Sequence, residues 1–214
     1  MIYCIGNSHA HFFTSVSVSM RNGWNGDFAD GEFLSLSMGP ILAHGFTTNH
    51  LHSAIEALQT CPRKFIPDAD FVLLAVGEID CRHHILKQVE EQSRPVEELT
   101  IECVDGLFES ALAIRDEGYN ILGWGGHAST RSDPSARGLP ITGTCLERNA
   151  IARRWSDRME QRCAENDMPF LSIVDDMIDP DGMTTEGILY DDAHMHPPAM
   201  LPYVIEKLKE KKIL

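Results

Sequence analysis

Apolar residues recur along the chain in two patterns that take turns. Short runs with little polar interruption fall at residues 2–5, 33–36, 70–77, 120–124 and 170–174. Runs of that length, closed by Gly, Pro or small polar residues, predict β-strands, and the lack of alternation in 70–77 suits a parallel strand covered on both faces. Between them the spacing changes to the helical period. Leu51, Ala54, Ile55 and Leu58 lie on one helix face, as do Val104, Leu107, Phe108, Ala111 and Leu112. A third stripe, Ile151, Trp155 and Met159, runs through a helix expected over 147–164, and a fourth, Leu201, Val204, Ile205 and Leu208, follows Pro197-Pro198. Pro62, Pro95 and Gly118 supply the stops and starts.

Strands and helices that alternate throughout predict an α/β fold. The expected architecture is a three-layer αβα sandwich of about five parallel strands joined by right-handed crossovers. Two stretches break the rhythm. Residues 22–27, Asn-Gly-Trp-Asn-Gly-Asp, read as a loop, with Trp24 packing on a core edge or offering a substrate platform. Residues 125–144 form a long irregular piece rich in Gly, Ser, Thr and Pro, a length that usually carries function.

Composition narrows the class. The 214 residues suffice for one domain, 1–214, with a substantial core. A net charge of −14 argues against nucleic acid and anionic membrane surfaces as partners and favours solubility. The six cysteines form no C-x-x-C pair, so zinc ribbons and thioredoxin-like chemistry are not expected. No run of 18 apolar residues occurs, and no basic segment followed by an apolar one opens the chain. Free thiols and that opening predict a cytoplasmic setting. Nothing in the sequence sets an oligomeric state.

Candidate chemistry sits at the two ends. The first strand empties into Gly6-Asn7-Ser8, which puts a serine at the carboxyl end of a central strand, where open α/β sheets place their sites. Serine needs a base in hydrogen-bond reach and an acid to orient that base. Asp191 and His194, three residues apart just before the last helix, supply both. The expectation is a hydrolytic site of Ser8, His194 and Asp191, with no metal and no cofactor. His196, Asp192 and His83 or His84 allow a rival reading, in which Asp191, Asp192, His194 and His196 hold a catalytic metal. His9 either lines the pocket or bonds locally. The run Ser15, Ser17, Ser19 has no partner pattern.

In order along the chain these motifs resemble the SGNH (GDSL-like) hydrolases. Gly6-Asn7-Ser8-His9 resembles the nucleophile block, Gly-Asp-Ser, with Asn7 in place of Asp. Gly39, in Met38-Gly39-Pro40, falls where that family has an oxyanion-hole glycine. Gly77-Glu78-Ile79-Asp80 resembles the block Gly-x-Asn-Asp, and Asp191 to His194 matches Asp-x-x-His. The resemblance implies a flavodoxin-like sandwich and a serine esterase or deacylase acting on a small acyl ester, for example a carbohydrate O-acetyl group. It implies Ser8 as nucleophile, with the Ser8 amide and Gly39 forming the oxyanion hole. The third block departs from the pattern, because neither Ile79 nor Asp80 supplies the side-chain amide. An ionised Asp80 aimed at an oxyanion has the wrong sign. Either Asp80 is protonated, or it turns away to pair with Arg82 or the Ser8 turn, or Arg82 or His127 donates instead. The expectation taken here is that Asp80 turns away and Arg82 completes the hole, with Asp80, His9 and His127 as substrate-binding candidates and the 125–144 loop, through His127, Arg131 and Arg137, setting specificity. The degraded block also leaves room for a non-catalytic module that binds a carbohydrate or acyl ligand.

Overall fold

The computed structural model describes residues 1–15, 23–29, 31–67, 69–133, 138–191 and 193–214. The strands are β1 (Ile2–Gly6), β2 (Asn25–Gly26), β3 (Phe33–Ser37), β4 (Phe71–Ala75), β5 (Gly123–Trp124) and β6 (Phe170–Leu171). The helices are α1 (Phe46–Asn49), α2 (Leu51–Gln59), α3 (Ile85–Gln92), α4 (Val96–Asp116), α5 (Cys145–Glu165) and α6 (Pro197–Glu210).

β1 lies at the centre, parallel to β3 on one side and β4 on the other, with Ile2 opposite both Phe33 and Phe71. β5 pairs in parallel with β6, and the Val72–Ile121 bridge attaches that pair to β4. The five parallel strands therefore run β3-β1-β4-β5-β6 across the molecule, the order of a flavodoxin-like sheet. All five residues of β1 are buried, as a strand covered on both faces requires. The one addition to the expected strands is β2, a two-residue antiparallel edge on β3 inside the stretch read as a loop. Trp24 beside it packs edge-on to Tyr3 at 5.6 Å and donates its indole N–H to Ala57 O at 3.2 Å. It is a core-edge residue, not a platform.

The helical stripes bury as their spacing requires. Ala54 and Leu58 of α2, Val104, Leu107 and Phe108 of α4, Trp155 of α5 and Val204 and Leu208 of α6 all enter one core. α4 begins after Pro95, and Gly118 just past its end takes the left-handed conformation (φ +91°). Thr144 and Glu147 close a capping box at the start of α5. Among the described residues no helix is long and apolar enough to cross a membrane. All six cysteines are free thiols.

Candidate active site

Ser8 is positioned by the end of β1. Asn7 caps a 3-10 turn, Ser8–Thr14, and its side-chain oxygen accepts the His9 N–H at 3.0 Å. The other half of the site is a tight turn before α6. Asp191 Oδ1 accepts the backbone N–H groups of Ala193 (2.9 Å) and His194 (2.7 Å), which folds the chain back on itself. The same carboxylate faces the imidazole, with Oδ2 2.9 Å from His194 Nδ1. His194 Nε2 lies 2.7 Å from Ser8 Oγ across 186 residues of sequence. An acceptor-only carboxylate at Nδ1 fixes the tautomer: Nδ1 carries the proton, and Nε2 is left to accept from the Ser8 hydroxyl.

The electrostatics favour that state. Burial raises the Asp191 pKa, but the N–H groups of His194 and Ala193 and the His194 ring outweigh it and keep the carboxyl below its ordinary range. Burial is also the largest influence on His194 and lowers its pKa; the charge of His9 lowers it further, against the pull of Asp191. His194 is thus held as the neutral base near pH 7. Its ring is layered between His9 (centroids 4.7 Å apart, 29°) and Tyr190 (5.7 Å, 21°).

Gly39 sits one residue beyond the Met38 N–H, which donates to Gly6 O at 2.8 Å, so it flanks the end of β1 that carries Ser8. Its φ of +89° favours glycine, and its N–H makes only a long 3.5 Å contact to Ser37 Oγ. The Ser8 N–H is the first of its turn, a position with no partner inside the helix.

The third block is built differently from its sequence reading. After β4, Gly77 takes φ +117° with its α-carbon so near the Trp155 ring that a Cβ would come within 2.6 Å of it. The chain then enters a π-helical turn, Asp80–His84. Asp80 is fully buried and is not among the residues lining the pocket at Ser8. Its oxygens accept the N–H groups of Ala43 (2.8 Å) and His44 (3.3 Å), so it clasps the loop that follows Gly39. Burial dominates and pushes its pKa up to about 7 despite those bonds, with the charge of Glu78 adding to the rise. Arg82 is buried and pairs with Glu78 rather than Asp80, Nε to Oε1 at 2.7 Å, while its Nη1 donates to Pro140 O. Neither group is among the residues that line the pocket around Ser8, the place expected of Asp80 as a substrate contact and of Arg82 as an oxyanion donor.

His127 is likewise committed inside the protein. Its Nδ1 donates to Ala128 O at 2.9 Å and its Nε2 lies 3.0 Å from His9 Nδ1. Burial first, and the His9 charge second, push its pKa down to about 3, so it is neutral and its Nε2 must accept. His9 Nδ1 therefore donates to it. His9 Nε2 faces Glu78 Oε2 at 3.1 Å. Burial raises the Glu78 pKa, but the His9 hydrogen bond and the charges of His9 and Arg82 overcome it and hold the carboxyl at about 2. With Glu78 ionised and His127 neutral, both His9 nitrogens face acceptors, and the ring stacks on His194. Glu78 is the residue that sequence reading missed. Its only trace there is an acid four residues before Arg82 at the end of the strongest strand.

A pocket opens at Ser8, lined also by His9, His11, Phe12, Tyr190, His194, Met195 and Pro197. His9 borders it with its ring, not with a free nitrogen. His11 was not singled out in the sequence; it is buried, and its Nδ1 has no hydrogen-bond partner among the described residues. A second, polar groove includes Thr130, Arg131, Ser132, Thr185, Glu186 and Asp191. The 125–144 loop beside it is fastened by Arg148. That fully buried side chain donates to Ser129 Oγ (3.2 Å), Thr130 O (2.9 Å) and Gly143 O (2.6 Å) and pairs with Asp133. Arg131 reaches Thr184 O at 2.8 Å and pairs with Asp179. Arg137 lies outside the described residues, as do Asp192, Ser17 and Ser19. Among the described residues Asp191, His194 and His196 do not converge as a metal-ligating set, and His83 instead meets Thr142 Oγ1 at 2.8 Å.

No family model matches the sequence, and no curated relative does. Solved structures do. A putative acylhydrolase from Bacteroides fragilis superposes with a TM-score of 0.59 at 15% identity, covering 100% of this chain and 88% of that one. A carbohydrate acetylesterase from Sinorhizobium meliloti gives 0.58 at 14%, covering 99% and 97%. A GDSL-like lipase from Bacteroides thetaiotaomicron gives 0.55 at 14%, covering 99% and 88%. At these identities the likeness is one of fold, and it spans the whole chain: this protein has the αβα fold of the SGNH (GDSL-like) hydrolases.

Proposed function

We propose that the chain is a serine esterase or deacylase, working as one domain over 1–214, that hydrolyses a small acyl ester. The observation that carries this is the continuous hydrogen-bonded line from Ser8 Oγ through His194 to Asp191, at 2.7 and 2.9 Å. Ser8 Oγ attacks the ester carbonyl as its proton passes to His194 Nε2. The Ser8 and Gly39 N–H groups receive the oxyanion. Collapse of the tetrahedral species expels the alkoxide, which takes the proton from His194, and water repeats the sequence on the acyl-enzyme. Asp191 holds the tautomer and stabilises the imidazolium that forms. No cofactor enters these steps.

The pocket at Ser8 is small and bordered by Phe12, Tyr190, Met195 and Pro197, which supports a short acyl group over a long chain. The hydroxyl- and charge-lined groove at Thr130 to Ser132, and the acetylesterase among the fold's relatives, support a hydroxylated leaving group such as an O-acetylated sugar. A two-donor oxyanion hole lowers the expected rate, since one donor is worth roughly 10²–10³ in kcat. That missing donor favours one other reading, a module that binds such a ligand without turning it over. A fluorophosphonate probe with p-nitrophenyl acetate turnover separates them. The esterase predicts labelling and hydrolysis that both vanish in Ser8→Ala; binding of ligand by a wild-type protein that neither labels nor turns over decides for the module.

A further inference from the structure

A second cluster of chemistry-bearing side chains lies apart from Ser8. His44 comes from the loop between β3 and α1, His84 closes the π-helical turn, and Cys103 lies on α4. Each offers one ligand atom, and the three atoms lie within 4.8 Å of one another. The two imidazoles face each other with centroids 4.8 Å apart at 34°. Cys103 is buried beneath them, His84 is half-buried and His44 is exposed, so the cluster grades from the core to solvent. A pocket opens over it, with Gln88, Gln92 and Glu102 at its rim. None of the three side chains has a hydrogen-bond partner among the described residues, an unusual economy for two imidazoles and a thiol brought together from three elements.

We propose that His44, His84 and Cys103 form a binding site for a thiophilic divalent cation of the zinc type. Two neutral imidazoles and one thiolate are a donor set that suits zinc and cobalt and does not suit magnesium or calcium, which prefer oxygen. Three protein ligands leave a fourth tetrahedral position, and the pocket gives water access to it. Glu102 is occupied with Arg94 at 2.8 Å and is not counted as a ligand. Binding is a proton exchange: the cation forms a bond to Cys103 Sγ, the S–H proton leaves to the buffer, and the two histidines contribute lone pairs without losing a proton. In the metal-free protein burial, with Asp80 and Glu102 nearby, pushes the Cys103 pKa up, so binding has to displace that proton. The bound ion would cross-link the loop after Gly39 to α4, and its preference for the folded chain would raise the melting temperature.

The test uses untagged full-length protein and cobalt(II) as the probe. The site predicts one equivalent bound per chain, a thiolate-to-cobalt charge-transfer band in the near ultraviolet, displacement by zinc, and a rise in Tm with zinc. Cys103→Ser should remove the band, and His44→Ala or His84→Ala should weaken binding at least tenfold. His44 is exposed, so His44→Ala leaves the fold intact even if Cys103→Ser does not. Absence of the band, a band that survives Cys103→Ser, or affinity unchanged in His44→Ala overturns the site. None of these readouts depends on ester hydrolysis.

Discussion

Glu78 and Asp80 stand two residues apart, both buried, and behave as opposites. One is held ionised with a pKa of about 2, and the other is pushed to about 7. Burial acts on both in the same direction, so it does not separate them. Their partners do. Glu78 meets the Arg82 guanidinium and the His9 ring, whereas Asp80 meets backbone N–H groups and carries the repulsion of Glu78 besides. At Glu78 the neighbouring side chains outweigh the cost of burial, whereas the N–H bonds to Asp80 do not. The two acids consequently serve different halves of the site. Glu78 builds a charged layer behind His194, while Asp80 fixes the loop that carries Gly39.

Removing Glu78 is the harshest way to break this contrast. Glu78→Ala would leave Arg82 and His9 buried without a counter-charge, a loss of about 3–5 kcal/mol of stability. Urea denaturation at pH 7 measures it. A cost below about 1 kcal/mol would mean that Glu78 does not hold His9 and Arg82 together as a unit.

Asp80 should show itself through pH. Its folded pKa is raised, so between the unfolded value and about 7 the folded chain holds a proton that the unfolded chain has lost. Stability then falls as pH rises through this window, by up to about 4 kcal/mol, and is flat above it. Glu78 has the reverse sign, with its contribution present above the ordinary carboxylate range and lost as pH drops toward about 2. His127, with a folded pKa of about 3, acts in the opposite direction over part of this range but equally in both proteins, so the stability of the wild type relative to Asp80→Asn, read from denaturation midpoints, should fall between pH 4 and 8. Glu78→Gln should move the Asp80 transition to lower pH, because it removes the neighbouring charge.

The same pair marks how far the sequence could be read. The places of Ser8, Asp191 and His194 are legible because each lies at a strand end or in a tight local turn, where position follows from sequence spacing; Gly39 stands out only through the family resemblance. The five parallel strands are legible for the same reason. The Gly77–Arg82 segment is not. A π-helical turn inserts a residue into the winding and rotates Asp80 toward the loop at Ala43, and nothing in the residue types announces that turn. Glu78 finds its partners at His9 and, through it, His127, which are close only once the sheet has formed. Arg148 escaped notice in the same way: its side chain collects acceptors from a loop up to 19 residues earlier in the chain, the Ser129 hydroxyl and the Thr130 carbonyl among them.

The mildest change tests whether the charged layer reaches the chemistry. His9→Gln removes the imidazole stacked on His194 and keeps an amide N–H for Glu78. Its cost in stability should be smaller than that of Glu78→Ala, because Arg82 still balances the carboxylate. The effect should appear in the pH profile of ester hydrolysis. His194 must be neutral to accept the Ser8 proton, so kcat/KM falls on the acid side as His194 becomes protonated. The positive charge of His9 is one of the influences that lowers the His194 pKa. Without it His194 protonates more readily, and the acid limb moves to higher pH while the rate on the plateau changes little. A merely structural role for His9 predicts a lower plateau with the limb unmoved. A limb that shifts in His9→Gln and not in Asp80→Asn would locate the difference between the two acids at the reacting histidine.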